Sequence, residues 1–270
     1  MLSKLSPPER GKLYSAYHAM AVVQSGMQVG LGTGSTAAWL VKLLGARRYL
    51  EGLDFTAVST SEATEALAVQ MGIPTTTLDA AEWLDVTIDG ADEFDPALQL
   101  IKGGGGALLR EKIVATASER MVVITDPSKE VATLGAFDLP VEVVKFAWKT
   151  TRTQIEDVLS WSDVDGRGIV LRERNGAVFQ TDEGHFILDL KLGRLGEPEA
   201  LAAELLKIAG VVETGLFLGV AERVVIGASS GEARIIRRDG GETTAEIEDQ
   251  DRLDAHLTYL DERGLTDGGV

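Results

Sequence analysis

The sequence predicts an α/β fold built on a mostly parallel sheet, and three observations predict it. Short apolar stretches alternate with amphipathic helical segments through the first half of the chain. Each stretch stops at a cluster of glycine, hydroxyl or acidic residues before the next helix begins, as strand–turn–helix units do. The length of 270 residues, against roughly 150 per domain, suits one large domain or two modest ones. The expectation is a Rossmann-like parallel sheet domain, with a smaller α+β domain inserted before the last strands.

Met27 to Leu31 is the first strand, followed by Gly32-Thr33-Gly34-Ser35-Thr36 and a helix through Leu44 with Ala37, Leu40, Val41 and Leu44 on one face. Leu53 to Val58 repeats the unit, and Ser59-Thr60-Ser61 leads into a helix carrying Ala66, Leu67 and Met71. Leu84 to Ile88 is a third strand ending at Asp89-Gly90-Ala91-Asp92-Glu93; a helix spans Ala107 to Ala117; Arg120 to Thr125 is a fourth strand ending at Asp126-Pro127-Ser128-Lys129. After Leu139 and Pro140 the texture changes. Val141 to Phe146, Ile169 to Leu171, Ala177 to Gln180 and Phe186 to Asp189 read as strands joined by Gly, Asp and Asn turns, with helices at Thr151 to Leu159 and Glu197 to Ala209. Arg223 to Ala228 and Ala233 to Arg237 return to the first sheet.

These readings divide the chain into residues 1–139 with about 222–239 as the sheet domain, 140–221 as the smaller domain, and 240–270 as an acidic extension. From Gly240 onward nine acids stand against Arg252 and Arg263. A helix from Asp249 to Arg263 places Leu253, Leu257 and Leu260 on one stripe, and the last few residues are expected to be disordered.

Acidic residues number 42 and basic residues 26, a net charge of −16 that disfavours nucleic acid and anionic membranes as partners. The longest apolar runs, Ala19 to Val23 and Ala37 to Val41, fall far below the roughly 18 residues of a membrane span. Lys4, Pro7, Pro8, Glu9 and Arg10 near the N-terminus lack the apolar segment of a secretory signal, so a cytoplasmic protein is expected. The absence of cysteine excludes disulfide scaffolds and thiolate catalysis. His18, His185 and His256 are isolated and lack metal-ligand spacing, and the four tryptophans read as core or interface anchors.

In open α/β sheets, ligands sit beyond the carboxyl ends of the strands, where the polar clusters named above fall. Gly32 to Thr36 combines glycines that admit an anion close to the backbone with hydroxyls that donate to phosphate oxygens. A tight turn capped by Ser35 or Thr36 is the structural alternative. The dinucleotide fingerprint fails because its third glycine falls at Ser35, and a P-loop fails because no lysine follows Gly34. Asp89, Asp92, Glu93 and Asp95 place four carboxylates within seven residues, either acid/base or cation-holding groups or an acidic turn. Lys102 is followed by four glycines and then by a helix bearing Arg110, Glu111 and Lys112. A run so costly in conformational entropy suits backbone N–H groups laid against a ligand.

Taken in order and spacing, Gly32-Thr33-Gly34-Ser35-Thr36-Ala37, Asp89-Gly90-Ala91-Asp92-Glu93, Lys102-Gly103-Gly104-Gly105 with Arg110-Glu111-Lys112-Ile113, Pro140-Val141-Glu142-Val143, and Gly210 to Phe217 closely resemble ribose-5-phosphate isomerases of the A type. The resemblance spans roughly Lys12 to Arg237. It implies interconversion of ribose 5-phosphate and ribulose 5-phosphate in the pentose phosphate pathway, with no cofactor and no metal. By the same resemblance Glu111 is the proton-transferring base; the chemistry of an enediolate then suits Lys102 and the glycine-loop N–H groups to the developing oxyanion and makes Asp89 the candidate for moving the hydroxyl proton. Substrate binding falls on Lys12, Thr33, Gly34, Ser35, Thr36, Asp89, Gly90, Ala91, Asp92, Lys102, Gly103, Gly104, Gly105 and Lys129. The implied partner is a small-molecule sugar phosphate, and the family's habit implies a homodimer or homotetramer. Gly106 stands where the family often has Ala, and Leu109 where Thr is common. The rival expectation is a non-catalytic sugar-phosphate-sensing module.

Overall fold

The computed structural model describes residue 2 and residues 5–266, so the final residues, where disorder is expected, lie outside the described ones. In chain order the elements are α1 (Pro7–Ala19), β1 (Gln28–Leu31), α2 (Ser35–Glu51), β2 (Thr56–Ser59), α3 (Glu62–Gln70), α4 (Leu78–Ala81), β3 (Val86–Gly90), β4 (Glu93–Phe94), β5 (Leu100–Ile101), α5 (Leu108–Thr116) and β6 (Met121–Thr125). There follow β7 (Leu139–Val143), α6 (Trp148–Trp161), β8 (Gly168–Leu171), β9 (Glu173–Arg174), β10 (Ala177–Val178), β11 (Phe186–Lys191), α7 (Pro198–Leu205), β12 (Val211–Thr214), β13 (Leu216–Phe217), β14 (Ala221–Gly227), β15 (Ala233–Arg237), β16 (Glu242–Ala245) and α8 (Gln250–Asp261).

The first compact unit takes the chain up to Gly90, then Ile113–Ser128, and resumes at Val220. Its seven-stranded sheet runs β16-β15-β14-β6-β3-β1-β2; the strands from β14 to β2 are parallel, and β15 and β16 extend the edge antiparallel. β6 is buried at every position, as expected for a parallel strand covered on both faces. One cluster gathers Leu13, Val29, Leu31, Trp39, Leu40 and Leu257, and a second gathers Val58, Ala81, Leu84 and Val114. Of the tryptophans read as anchors, Trp39 is buried, whereas Trp83 is 53% and Trp161 62% exposed. Helix α1 has no counterpart in the sequence reading, although its start is written in the chain: the Ser6 hydroxyl accepts from the Glu9 N–H and Pro7 opens the first turn.

The second unit comprises Ala91–Lys112 and Lys129–Gly219. Its four-stranded antiparallel sheet, β12-β7-β11-β8, carries a core of Val141, Ile155, Leu159, Leu188, Leu190 and Leu205. A second small sheet, β13-β5-β4, pairs Leu216 with Ile101 and Phe217 with Leu100. Two-residue strands carry no periodicity, so the sequence did not announce them, yet they bind the residues after Gly90 to the stretch ending at Phe217.

The acidic tail belongs to the first unit. β16 pairs with β15, and α8 buries Leu253, Leu257 and Leu260 as its stripe predicts. The docking is polar as well: Glu51 of α2 accepts from Arg252 Nε at 2.7 Å and Nη2 at 2.6 Å, from His256 Nε2 at 2.8 Å, and from Arg47 Nε at 3.1 Å. Burial opposes ionisation of Glu51, but these donors, Arg252 foremost, hold its carboxyl at about 2. Burial also pushes the His256 imidazole below its ordinary value. Both depressed groups stabilise the fold above their unfolded values and lose that contribution as pH falls, His256 below about 6.5 and Glu51 from about 4.5 toward 2. Glu51→Gln is therefore expected to lower the neutral-pH unfolding midpoint by about 3–6 °C, for a charge-assisted network worth on the order of 1–2 kcal/mol. The gap to the native chain should close as scans are repeated from pH 5 down to pH 2; a gap independent of pH would refute the assignment.

Candidate active site

In the first unit, β1 stops at Leu31 and the turn into α2 brings Gly32 so close to Asp89 that a Cβ there would stand 2.0 Å from Asp89 Oδ1. Asp89 is fully buried at the end of β3 and its Oδ1 accepts from the N–H of Thr33 at 3.1 Å and of Gly90 at 2.7 Å. The Thr33 hydroxyl lies within 2.7 Å of Thr60 Oγ1, 2.9 Å of Ser61 Oγ and 3.2 Å of Thr64 Oγ1. Ser61 also caps α3, and Thr64 donates to Gly32 O, so the hydroxyl cluster after β2 holds the turn in place. Thr33 thus offers its side chain inward. The N-cap of α2 is Gly34, with no side-chain capping bond, instead of Ser35 or Thr36; the hydroxyls of these two residues carry no hydrogen bond among the described residues. Their half-buried hydroxyls and the helix N-terminus make an anion-binding environment. Lys12, on α1, pairs with Glu9 at 2.6 Å, and the other Glu9 oxygen accepts from Trp39 Nε1 of α2 at 3.0 Å.

In the second unit, the small sheet fixes Lys102: its N–H donates to Gly215 O at 2.9 Å, and its side chain is buried. Lys102 Nζ lies 3.3 Å from Glu111 Oε1, with both side chains almost wholly shielded from solvent. Lys102 Nζ also sits 5.4 Å from the centroid of the Phe217 ring, which Lys112 Nζ approaches at 4.9 Å. Lys112 donates to Glu213 and to Thr214 O, each at 2.7 Å, and burial lowers its ammonium below the ordinary value despite Glu213. The aromatic ring therefore carries two cations, one of which meets the Glu111 carboxylate. Phe217 was missed by sequence reasoning, although it closes one of the family motifs.

The acidic run after β3 divides by role. Asp92 accepts from the Gly104 N–H at 2.7 Å, tying the glycine loop down. Glu93 is buried and accepts from Gly135 N and Phe137 N, while Asp95 accepts from Ala97 N and Gln99 N to close a turn. The latter two are structural, and among the described residues no group of three or more His, Cys, Asp or Glu is spaced to hold a metal. Within the loop the Gly106 N–H donates to Gly103 O, which leaves the N–H groups of Gly103 and Gly105 without a partner among the described residues. Gly106, a departure from the usual alanine, has φ +93°, and a Cβ would come within 2.3 Å of the Phe179 ring. Glycine and Phe179 are thus a matched pair. Lys129 is half-buried and forms no ion pair among the described residues.

His185 packs against a carboxylate. Its Nδ1 lies 2.9 Å from Glu142 Oε1, which also accepts from Thr181 Oγ1 at 2.9 Å. Burial pushes the Glu142 carboxyl up, against the effect of both neighbours, and its Oε2 has no hydrogen bond among the described residues.

The family model for ribose 5-phosphate isomerase A (phosphoriboisomerase A) matches residues 56–231. Ribose-5-phosphate isomerase A of Dinoroseobacter shibae is 57% identical over 87% of this chain and 90% of its own. The enzyme of the same name from a Ruegeria species is 51% identical over 97% of this chain and 99% of its own. Among solved structures, ribose 5-phosphate isomerase A of Methanocaldococcus jannaschii superposes with a TM-score of 0.77 at 36% identity, covering 84% of this chain and 97% of that one. A D-ribose-5-phosphate isomerase in complex with phospho-erythronic acid gives 0.77 at 35% identity, covering 90% and 100%.

Proposed function

This chain belongs to the ribose 5-phosphate isomerase A family, and from that premise we propose how its own residues interconvert ribose 5-phosphate and ribulose 5-phosphate. The observation that carries the reading is the buried Lys102–Glu111 pair, 3.3 Å apart. A carboxylate shielded from water is a fixed base, and an ammonium beside a carboxylate favours its ionised form.

Glu111 removes the proton from carbon 2 of the open-chain aldose. The bonding pair forms the C1–C2 double bond while the carbonyl electrons move onto O1, giving the enediolate. Glu111 then returns its proton to carbon 1 as O2 becomes the new carbonyl, and the O2 hydroxyl proton passes to O1, a transfer assigned to Asp89. As Glu111 becomes neutral, the charge of Lys102 is no longer balanced by its partner and is available to the oxyanion. The N–H groups of Gly103 and Gly105 are the loop donors that remain for substrate oxygens. Phosphate binding is assigned to Lys12, to Ser35 and Thr36 with the backbone of Thr33 and Gly34, and to Lys129; Gly90, Ala91 and Asp92 complete the assigned binding residues. These cations and N–H groups act at short range against a net charge of −16, which screening weakens at a distance. The reading includes a place in the pentose phosphate pathway, a cytoplasmic location and a homodimer or homotetramer. No helix among the described residues is long and apolar enough to cross a membrane.

Turnover of ribose 5-phosphate in heavy water tests the mechanism. A carboxylate base exposes the abstracted proton to exchange during the life of the enediolate, so solvent deuterium should enter product or recovered substrate, with EDTA leaving the rate unaltered. Hydride transfer assisted by a metal predicts the reverse pair: no deuterium uptake, and EDTA inhibition relieved by a divalent cation. No observation favours the sensing module, for which a buried base serves no purpose.

A further inference from the structure

The segment from Arg172 to His185, containing β9 and β10, lies outside every motif that carries a proposed catalytic group, yet it grips the glycine loop along its whole length. Arg172 Nη1 donates to Gly103 O at 2.7 Å and to Gly104 O at 3.2 Å, and Arg174 Nη2 donates to Gly105 O at 3.2 Å. The Phe179 ring fills the space that a side chain at position 106 would take. One residue before the base, Arg110 Nε donates to Glu183 at 2.5 Å. Arg172 is itself clamped, since Nε donates to Asp189 Oδ2 at 2.9 Å and Nη2 donates to Asp189 Oδ1. Three guanidinium nitrogens are thus committed in one plane, an arrangement lysine cannot reproduce.

In a trans peptide the carbonyl and the following N–H point in opposite directions. Holding Gly104 O toward Arg172 therefore turns the Gly105 N–H to the opposite side, where it is exposed and has no partner among the described residues. The peptide before it is held at both ends, its carbonyl by Arg172 and its Gly104 N–H by Asp92. A cation on the carbonyl also polarises the peptide and strengthens its N–H as a donor.

We propose that Arg172, anchored by Asp189, is a positioning residue that orients the Gly104–Gly105 peptide so that the Gly105 N–H meets the oxyanion of the enediolate. It rests on the reading above that this loop and Glu111 serve the isomerisation. An interaction made mainly in the transition state lowers kcat when removed and leaves ground-state binding largely intact.

The test uses the full chain with Arg172→Gln, Arg172→Lys and Asp189→Asn, measuring kcat and KM for ribose 5-phosphate and the affinities for phospho-erythronic acid and inorganic phosphate. Phospho-erythronic acid carries a carboxylate where the enediolate develops charge; inorganic phosphate does not. Arg172→Gln should lower kcat on the order of 10–100-fold, less than the loss of a direct oxyanion donor. Affinity for phospho-erythronic acid should fall in parallel, while KM and phosphate affinity stay within about threefold. Arg172→Lys should recover little of the loss, and Asp189→Asn should fall between. A kcat in Arg172→Gln within about twofold of native, or full activity in Arg172→Lys, overturns the proposal. So does a rise in KM and phosphate dissociation constant at unchanged kcat. Should Arg172→Gln not fold, Asp189→Asn decides by the same measures. Glu111→Gln, run alongside, separates the two failures: near-native turnover there defeats the underlying reading, whereas an inactive Glu111→Gln beside an unimpaired Arg172→Gln defeats only the role of Arg172.

Discussion

Glu111→Gln should lower kcat by at least roughly 10²-fold, and up to about 10⁴-fold, the span expected when a general base is lost. The amide keeps the length and nearly the volume of the carboxylate, and its oxygen can still accept from Lys102 Nζ, which stands 3.3 Å away in the native chain. What disappears is the capacity to take a proton from carbon. KM should change little, because the phosphate contacts assigned to Lys12, Ser35 and Thr36 remain. The fold should lose stability visibly, since Lys102 is 2% exposed and the carboxylate charge 3.3 Å from it is removed. Breaking one half of a buried pair typically costs about 3–5 kcal/mol, and the retained amide acceptor should reduce that. Thermal scans alongside steady-state kinetics separate the two effects. A variant with native unfolding behaviour and near-native turnover would remove Glu111 from the reaction.

The parts of this site that were legible in the sequence are those in which chemistry-bearing residues are contiguous. Lys102, four glycines and Glu111 fall within ten residues, and a glycine run leading into an amphipathic helix has few structural uses. Asp89 was legible because it ends an apolar strand. The partners that fix these groups were not, because each arrives from far along the chain: Arg172 reaches Gly103 across 69 residues and Lys112 reaches Glu213 across 101. Such contacts are consequences of strand pairing, here of β8, β11 and β13, which periodicity does not determine. In the sequence Arg172 is one of three charged residues before Asn175-Gly176, and nothing local sets it apart from the charges of a solvated turn.

The hydroxyl run after β2 shows the same limit at shorter range. Ser59-Thr60-Ser61 was legible as the start of a helix, and Ser61 does cap α3, but nothing local indicates that Thr60 and Ser61 receive the Thr33 side chain. Among the fold elements, the parallel strands were read to within about three residues because burial on both faces leaves an apolar run. The two-residue strands β4, β5 and β13 were not. They matter most for the chemistry, since the bond from Lys102 N to Gly215 O follows directly on the β5–β13 pairing and sets the lysine in place.

Lys102→Met should reduce kcat at neutral pH on the order of 10²–10³-fold, because two contributions vanish together. The first is the positive charge offered to the enediolate oxyanion. The second acts on the base. Without the ammonium 3.3 Å away, a carboxylate that is 4% exposed has lost the charge that favours its ionised form, while the desolvation that disfavours it remains. The balance at Glu111 is then tilted toward the protonated form, which is unable to act as base. Raising the pH restores the second contribution and leaves the first lost. The acidic limb of the kcat profile should accordingly move to higher pH, with a plateau that stays well below the native one. Methionine suits the test because it fills the space beside Phe217 with a flexible apolar chain, keeping the packing that the 5.4 Å ring contact implies. A lowered plateau with an unmoved acidic limb would restrict Lys102 to the oxyanion, and an unchanged plateau would leave it no part in the transition state.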